Sequence, residues 1–237
     1  NISNLGLVLG VMAIISPLSL SKTELNWNYF PLTLITILFS IGIYTLYFFN
    51  TLYGLLSIIL LLAFSVMIVK KGDQLIENEE YGKADSLFIL GFQLKVKHTI
   101  IFIISLILGS IILWAGTDLL IDSSKKIATI LGVSDRVIAI SLVAIGTSLP
   151  ELFASIYSII KSEQKMAIGN ILGSNIFNIL AVIGFTSLIT DININKNMIM
   201  DALFMLGLTL LLIPLFYIQK QHNDIIKINR IGGLILF

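Results

Sequence analysis

Seven apolar runs, each long enough to cross a membrane as a helix, constrain this chain more than any other feature. A helix needs about 20 apolar residues to span the hydrocarbon core of a bilayer. Runs of that length cover residues 2–20, 29–49, 51–69, 98–121, 137–160, 166–190 and 197–218, and an eighth begins near Ile231. Only 12% of the 237 residues are charged, about half the share of a soluble domain. The sequence therefore predicts an all-α polytopic membrane protein embedded in a lipid bilayer.

The charge distribution predicts an orientation and excludes some partners. A net charge of +1 indicates no nucleic-acid partner, and the absence of cysteine excludes disulfides and thiolate metal sites. Eleven of the 15 basic residues fall in loops on one side of the predicted membrane, including the long 70–97 loop. Since basic loops favour the cytoplasm, we expect residues 71–97 to form a cytoplasmic linker, with a helix lying at the interface, in a protein of the cell membrane.

A short internal repeat predicts inverted symmetry. Residues 1–10 align with residues 175–184 at a constant offset, and the five identical pairs include two asparagines. Asparagine is costly inside a membrane, so its repetition is informative. The two copies lie on the first and sixth spans and therefore run in opposite directions, as in transporters that bind their substrates between inverted repeats. We expect the chain to be a fragment cut at both ends, because the counterpart of residues 146–174 would precede Asn1.

The fifth span carries residues that an apolar helix should not contain. Gly146 and Pro150 lie in its middle and predict a broken helix at the bilayer midplane, with freed carbonyl groups near residues 144–147. Glu151 lies deep in the same run, which contains no basic residue. Placing a charge there costs at least ~2.5 kcal/mol. A bound cation is the simplest partner for this carboxylate.

Neutral oxygen ligands lie near Glu151 in the sequence. Thr147 and Ser148 are four and three residues before it, and Ser174 and Asn178 share a face of the next span. Asn4 is the repeat counterpart of Asn178. Carboxylate, hydroxyl, amide and carbonyl oxygens are the ligands of hard cations such as calcium. The sequence predicts a metal-ion site that includes Glu151, Thr147 and Asn178.

Structural roles compete with this hypothesis for each neutral residue. Serine and threonine in membrane helices often bond the backbone of the preceding turn, asparagine can join helices, and Gly169 and Gly173 can serve close packing or a second break. Asp118, Asp122 and Asp201 lie near span ends and are interpreted as interfacial. Only the deep carboxylate calls for a function by itself.

Two motifs resemble a known family. Gly146-Thr-Ser-Leu-Pro-Glu151 and Gly169-Asn-Ile-Leu-Gly-Ser-Asn-Ile-Phe-Asn178 are similar to the second alpha-repeat of the calcium/cation antiporter superfamily, in its sodium/calcium exchanger branch. The resemblance implies ten spans in two inverted five-helix repeats, of which about seven and a half are present here. Residues 1–70 would be the remnant of the first repeat, 71–97 the linker and 98–237 the second repeat.

The resemblance also implies a ligand set. Glu151 matches the central carboxylate, Thr147 and Ser148 the adjacent ligands, Ala144 a carbonyl ligand, Ser174 a hydroxyl ligand and Asn4 an amide ligand. Asn178 departs from the family, in which many sodium/calcium exchangers have aspartate. This substitution removes one possible negative charge and leaves the sodium stoichiometry open.

We therefore expect a secondary active antiporter that exchanges Ca²⁺ for Na⁺ by alternating access. A proton/calcium antiporter and a potassium-dependent exchanger are the nearest alternatives, and an intramembrane enzyme is the alternative of another class. We expect no enzymatic activity and no cofactor, since Ca²⁺ and Na⁺ would bind transiently. We also expect a monomeric transporter.

Overall fold

The structure is a computed structural model, and it describes residues 1–46, 48–77, 86–89, 92–132, 135–218 and 225–237. Every apolar run predicted from the sequence contains a helix, and five of the described helices are long and apolar enough to cross a membrane. The helices are π1 (Asn4–Val8) continuing as α1 (Leu9–Ile15), α2 (Lys22–Thr45), α3 (Thr51–Glu77), α4 (Val96–Ile130), α5 (Asp135–Ile160), α6 (Gln164–Phe177) continuing through π2 (Asn178–Ile183) into α7 (Gly184–Ile189), α8 (Lys196–Ile218) and α9 (Arg230–Leu236).

Two short antiparallel strand pairs, here called ladders, connect loops at the two ends of the bundle. Strand β1 (Leu18–Ser21), which follows α1, pairs with β6 (Ile225–Ile228), which precedes α9. Strand β2 (Phe48–Phe49), which precedes α3, pairs with β5 (Ile192–Asn193), which follows α7. The loops joined by each ladder are those that the alternation of spans predicts on the same side of the membrane.

The helices, like the strands, pack in pairs that join the first part of the chain to the second. Helix α1 packs on α9, and α7 packs on α3, while α2 and α8 pack on each other. The end of each repeated segment thus meets a helix from the other part of the chain. This exchange of equivalent contacts is what an inverted repeat with a pseudo-two-fold axis produces, and it agrees with the predicted fold class.

Glycine residues allow the α1–α9 pair and the α3–α7 pair to cross at short distance. A Cβ atom added to Gly54 would lie 2.7 Å from the carbonyl oxygen of Gly184. A Cβ atom added to Gly233 would lie 2.8 Å from the carbonyl oxygen of Gly10 and 2.9 Å from Ala13 Cβ. Gly10 and Gly184 are equivalent positions of the sequence repeat. Small residues let helix backbones approach in a membrane, where dispersion contacts replace the hydrophobic effect between helices.

The α2–α8 pair is held by polar contacts to backbone carbonyls. The Tyr29 hydroxyl donates a hydrogen bond to the carbonyl oxygen of Thr209. Ser40 Oγ, which donates to the carbonyl oxygen of Thr36 at 2.8 Å, lies 3.4 Å from that of Ala202. Apolar side chains on the outer faces of α3 and α4 are exposed, among them Leu52, Ile59, Ile112 and Trp114. That distribution suits helices whose outer faces contact lipid.

The helix break predicted at Gly146 and Pro150 is wrong. Helix α5 is continuous from Asp135 to Ile160 with Pro150 inside it. Gly146 serves packing instead, because a Cβ atom there would lie 2.6 Å from Ile121 Cδ1 on α4. Proline is tolerated in membrane helices where neighbouring groups compensate for the lost backbone bond. The irregular helical geometry lies elsewhere, in π1 and π2, which begin at the repeat counterparts Asn4 and Asn178.

Two smaller expectations also need correction. Cβ atoms added to Gly169 and Gly173 would meet no atom within 4 Å in the described part of the chain, and α6 is regular there. These glycines therefore provide neither a close approach nor a second break among the described residues. In the linker, β3 (Ser86–Ile89) pairs with β4 (Phe92–Lys95) where an interfacial helix was expected. Most of the rest of the 71–97 linker, residues 78–85 and 90–91, lies outside the described residues.

The two glycine crossings generate a stability prediction. Gly54→Ala and Gly233→Ala should each destabilise the full-length protein by about 1–3 kcal/mol, because the added methyl group would overlap a backbone atom. Thermal unfolding in detergent measures the effect. Gly207→Ala on α8 is the matched control, since nothing lies within 4 Å of its Cβ position. Equal stability of all three variants would contradict the close crossings.

Candidate cation-binding site

One face of α5 carries four of the predicted site residues. Because the helix is continuous, Ala144, Thr147, Ser148 and Glu151 follow the spacing of three and four residues that aligns side chains on one face. Ser148 is only 3% exposed. Thr147 Oγ1 donates a hydrogen bond to the carbonyl oxygen of Ala144 at 3.3 Å. This bond uses the hydroxyl proton, and a hydroxyl oxygen that donates can also accept a hydrogen bond or bind a cation.

Glu151 holds a buried oxygen with no partner. Its Oε2 atom is inaccessible and has no hydrogen-bond donor among the described residues. Leaving a buried charged oxygen unpaired costs more free energy than leaving a neutral one. A positively charged ligand would lower that cost, and a bound cation would provide the positive charge.

A second buried oxygen belongs to Asn4 on π1. Asn4 is 1% exposed, and its Nδ2 donates a hydrogen bond to Ser174 Oγ on α6 at 3.2 Å. Ser174 Oγ in turn donates to the carbonyl oxygen of Ile171 at 3.0 Å. Asn4 Oδ1 remains buried without a partner. The amide of Asn4 and the hydroxyl of Ser174 therefore join the two repeats and leave one acceptor unused.

A third set of contacts joins Asn178 to Asn1 and Asn175, two residues that the sequence analysis used only as markers of the repeat. Asn178 Nδ2 donates to Asn1 Oδ1 at 3.1 Å, and Asn1 Nδ2 donates to the carbonyl oxygen of Asn175 at 3.1 Å. Asn175 is fully buried, and its Oδ1 has no partner among the described residues. The signal for these two further residues was present, because Asn1 and Asn175 are one of the repeated asparagine pairs.

A cavity of about 470 Å³ adjoins these groups. Its wall contains Ala144, Thr147 and Asn178, three of the predicted site residues, together with Asn1. Asp201, interpreted as interfacial from the sequence, also lies on this wall. The remaining lining residues are mostly apolar: Ile2, Ser3, Phe39, Ile43, Ile179, Ile183, Met198, Ala202 and Met205.

The other predicted residues lie off the cavity wall. Glu151, Ser148, Ser174 and Asn4 are not among its lining residues. Glu151 follows Thr147 by one turn of α5, and Asn4 follows Asn1 by about one turn of the chain's first helix. The arrangement therefore has an outer group, which faces the cavity, and an inner group that contains the unpartnered Glu151 and Asn4 oxygens.

The donor set determines what this arrangement can bind. Among the described residues, no three His, Cys, Asp or Glu side chains come together to hold a metal ion. The inner and outer groups supply one carboxylate with several neutral oxygens, and the cavity wall contains no Lys, Arg or His. Such a set suits a hard cation that is bound weakly enough to be released.

Comparison with known proteins identifies the family. Residues 101–237 match the profile of the family described as sodium/calcium exchanger protein. The chain is 34% identical over 236 residues to the membrane protein MJ0091 of Methanocaldococcus jannaschii, covering 99% of this chain and 69% of that one. It is 42% identical over 101 residues to the sodium/calcium exchanger MaX1 of Methanosarcina acetivorans, covering 43% of this chain and 29% of that one.

A comparison with solved structures supports the same family at the level of the fold. The chain superimposes on the sodium-calcium exchanger NCX_Mj with a TM-score of 0.71 at 31% sequence identity, covering 99% of this chain and 70% of that one. This chain belongs to the sodium/calcium exchanger protein family.

Proposed function

We propose that Glu151 is the central anionic ligand through which this integral membrane Ca²⁺/Na⁺ antiporter binds the cations it exchanges. The observation that carries the proposal is the buried Oε2 atom of Glu151, which has no partner among the described residues. A carboxylate oxygen kept in this state, with no Lys, Arg or His bonded to it among the described residues, is suited to a positive ligand that arrives and leaves. A permanent ion pair would not leave its oxygen unused.

The neutral ligands of the proposed site are Thr147, Ser148, Ser174, Asn4 and Asn178, with the Ala144 carbonyl oxygen. Calcium takes 6–8 oxygen ligands and tolerates irregular geometry, so waters in the adjoining cavity can complete its coordination. Sodium can use subsets of the same oxygens. Competition between the two ions for one carboxylate couples their movements, because one must leave before the other binds.

Alternating access follows from the need to neutralise Glu151. A protein with an unbound buried carboxylate is costly to close on both sides, whereas Ca²⁺ or Na⁺ lowers that cost and lets the occupied protein switch between states. The two crossings α1–α9 and α3–α7 are related contacts at opposite ends, so one can loosen as the other tightens. Inverted repeats commonly support such motion around a central site.

The finer features of transport belong to the same proposal. Sodium is the counter-ion that we favour, while protons or potassium are alternatives that the neutral Asn178 leaves open. We infer a monomeric transporter in the cell membrane, with the 71–97 linker in the cytoplasm and no enzymatic activity. If more sodium charge enters than calcium charge leaves, each net charge contributes ~2.3 kcal/mol per 100 mV to calcium extrusion.

The central prediction concerns Glu151. In the full-length protein, Glu151→Gln should reduce Na⁺-driven uptake of isotopic calcium into Na⁺-loaded vesicles to background, because the amide cannot neutralise Ca²⁺. Glu163→Gln in the exposed turn between α5 and α6 should retain uptake. Calcium uptake by the Glu151→Gln variant at the wild-type rate would remove Glu151 from the mechanism. Uptake that follows a pH gradient without sodium would favour the proton antiporter.

A second prediction concerns the charge at position 178. Asn178→Asp would add a carboxylate beside the cavity and should tighten calcium binding about tenfold, equivalent to ~1.4 kcal/mol. Isotopic calcium binding to the full-length protein measures the change. Asn193→Asp in the exposed strand β5 adds the same charge away from the cavity and should have no such effect. Equal affinities in the two variants would place Asn178 outside the ligand set.

A further inference from the structure

One face of α8 lines the same cavity as the proposed cation ligands. Met198, Asp201, Ala202 and Met205 are spaced by three or four residues, so they form a single stripe along the helix, and all four lie on the cavity wall. Thr147 and Asn178 lie on the wall of the same cavity. Asp201 therefore borders the same space as these two proposed ligands.

Asp201 is the sole ionisable side chain among the residues lining this cavity. Its neighbours on the wall include the apolar side chains of Phe39, Ile43 and Ile183. Low-dielectric walls concentrate the field of a charge into the space that they enclose and raise the local concentration of opposite ions. A carboxylate in this position attracts cations, and attracts a divalent ion twice as strongly as a monovalent one.

The cavity lies toward one end of the bundle. Ile43 is near the end of α2, Met198 is near the start of α8, and both helix ends adjoin the β2–β5 ladder. The cavity thus occupies the space between that end of the bundle and the inner group that contains Glu151. In the orientation predicted from the basic loops, this end faces away from the cytoplasm.

We propose that Asp201 is a cation-positioning residue of the access path, which captures Ca²⁺ or Na⁺ in the cavity before transfer to Glu151. The proposal rests on the function assigned above to Glu151. Asp201 is exposed and has no role in the inner ligand group, so its charge acts on capture of the cation and leaves the switching step unchanged. Both ions remain hydrated at this stage, since one carboxylate cannot replace a full coordination shell.

The test measures transport by the full-length protein in proteoliposomes whose orientation has been determined. Asp201→Asn should raise the KM for calcium offered from the cavity side about tenfold at low ionic strength, with an unchanged maximal rate. The difference should shrink toward zero near 1 M salt, where the Debye length falls to about 3 Å. Asp201→Glu should restore the wild-type KM, because it keeps the charge.

Asp191→Asn is the matched control. Asp191 is exposed in the loop before β5 at the same end of the bundle, and it does not line the cavity. Removing the charge of Asp191 tests whether any surface charge at this end of the bundle changes the KM for calcium. An unchanged KM in Asp201→Asn, an equal shift in Asp191→Asn, or a lower maximal rate without a shift in KM would overturn the proposal.

The same experiment separates this inference from the assigned function. The KM is measured with a sodium gradient and, separately, with a pH gradient, so the role of Asp201 is read with either counter-ion. Wild-type transport with an unchanged KM in Asp201→Asn would overturn the inference alone. Absence of wild-type calcium transport under both gradients would overturn the function of Glu151 and this inference together.

Discussion

The inaccessible, unpartnered Oε2 atom of Glu151 is the constraint on which the proposed site depends. Within the described structure, three of the four buried polar atoms that lack a partner are oxygens of Glu151, Asn4 and Asn175. Native proteins rarely leave such atoms unused, because each costs free energy when it is removed from water. Asn4 and Asn175 lie on the two repeated segments, and Glu151 lies on α5, which packs against both π1 and α6. In the proposed site, these acceptors are open to a positive ligand. A purely structural polar cluster would satisfy its own acceptors.

The symmetry of the bundle explains how such a place can serve transport. Each repeated segment crosses a helix from the other part of the chain at a glycine, and each crossing is accompanied by a two-stranded ladder at its own end of the bundle. The α2–α8 pair connects the two halves through backbone carbonyls. Equivalent contacts at opposite ends are the arrangement that inverted-repeat transporters use for alternating access.

The neutral residues show why structural and functional roles do not exclude each other. Thr147 and Ser174 donate their hydroxyl protons to backbone carbonyls of the preceding turn, as the structural interpretation predicts. A hydroxyl that donates in this way is held in one rotamer and presents its lone pairs in a fixed direction. The backbone bond thus prepares the oxygen to be a ligand. Asn4 combines the roles similarly, since it joins π1 to α6 and keeps its amide oxygen unused.

Sequence reasoning identified which apolar runs form helices, the inverted relation of the repeats and the candidate ligands, whereas the limits of α2, α3 and α4 differ from the predicted runs by up to nine residues. Apolar runs of spanning length leave a backbone no alternative to a helix, and a deep carboxylate is conspicuous in any register. The folded arrangement shows that α5 stays continuous through Pro150 and that Gly146 packs against Ile121 of α4. It also decided that Asn1 bridges Asn178 and Asn175 and that Asp201 faces the cavity. These features depend on which faces of separate helices meet, and the periodicity of a single helix does not contain that information.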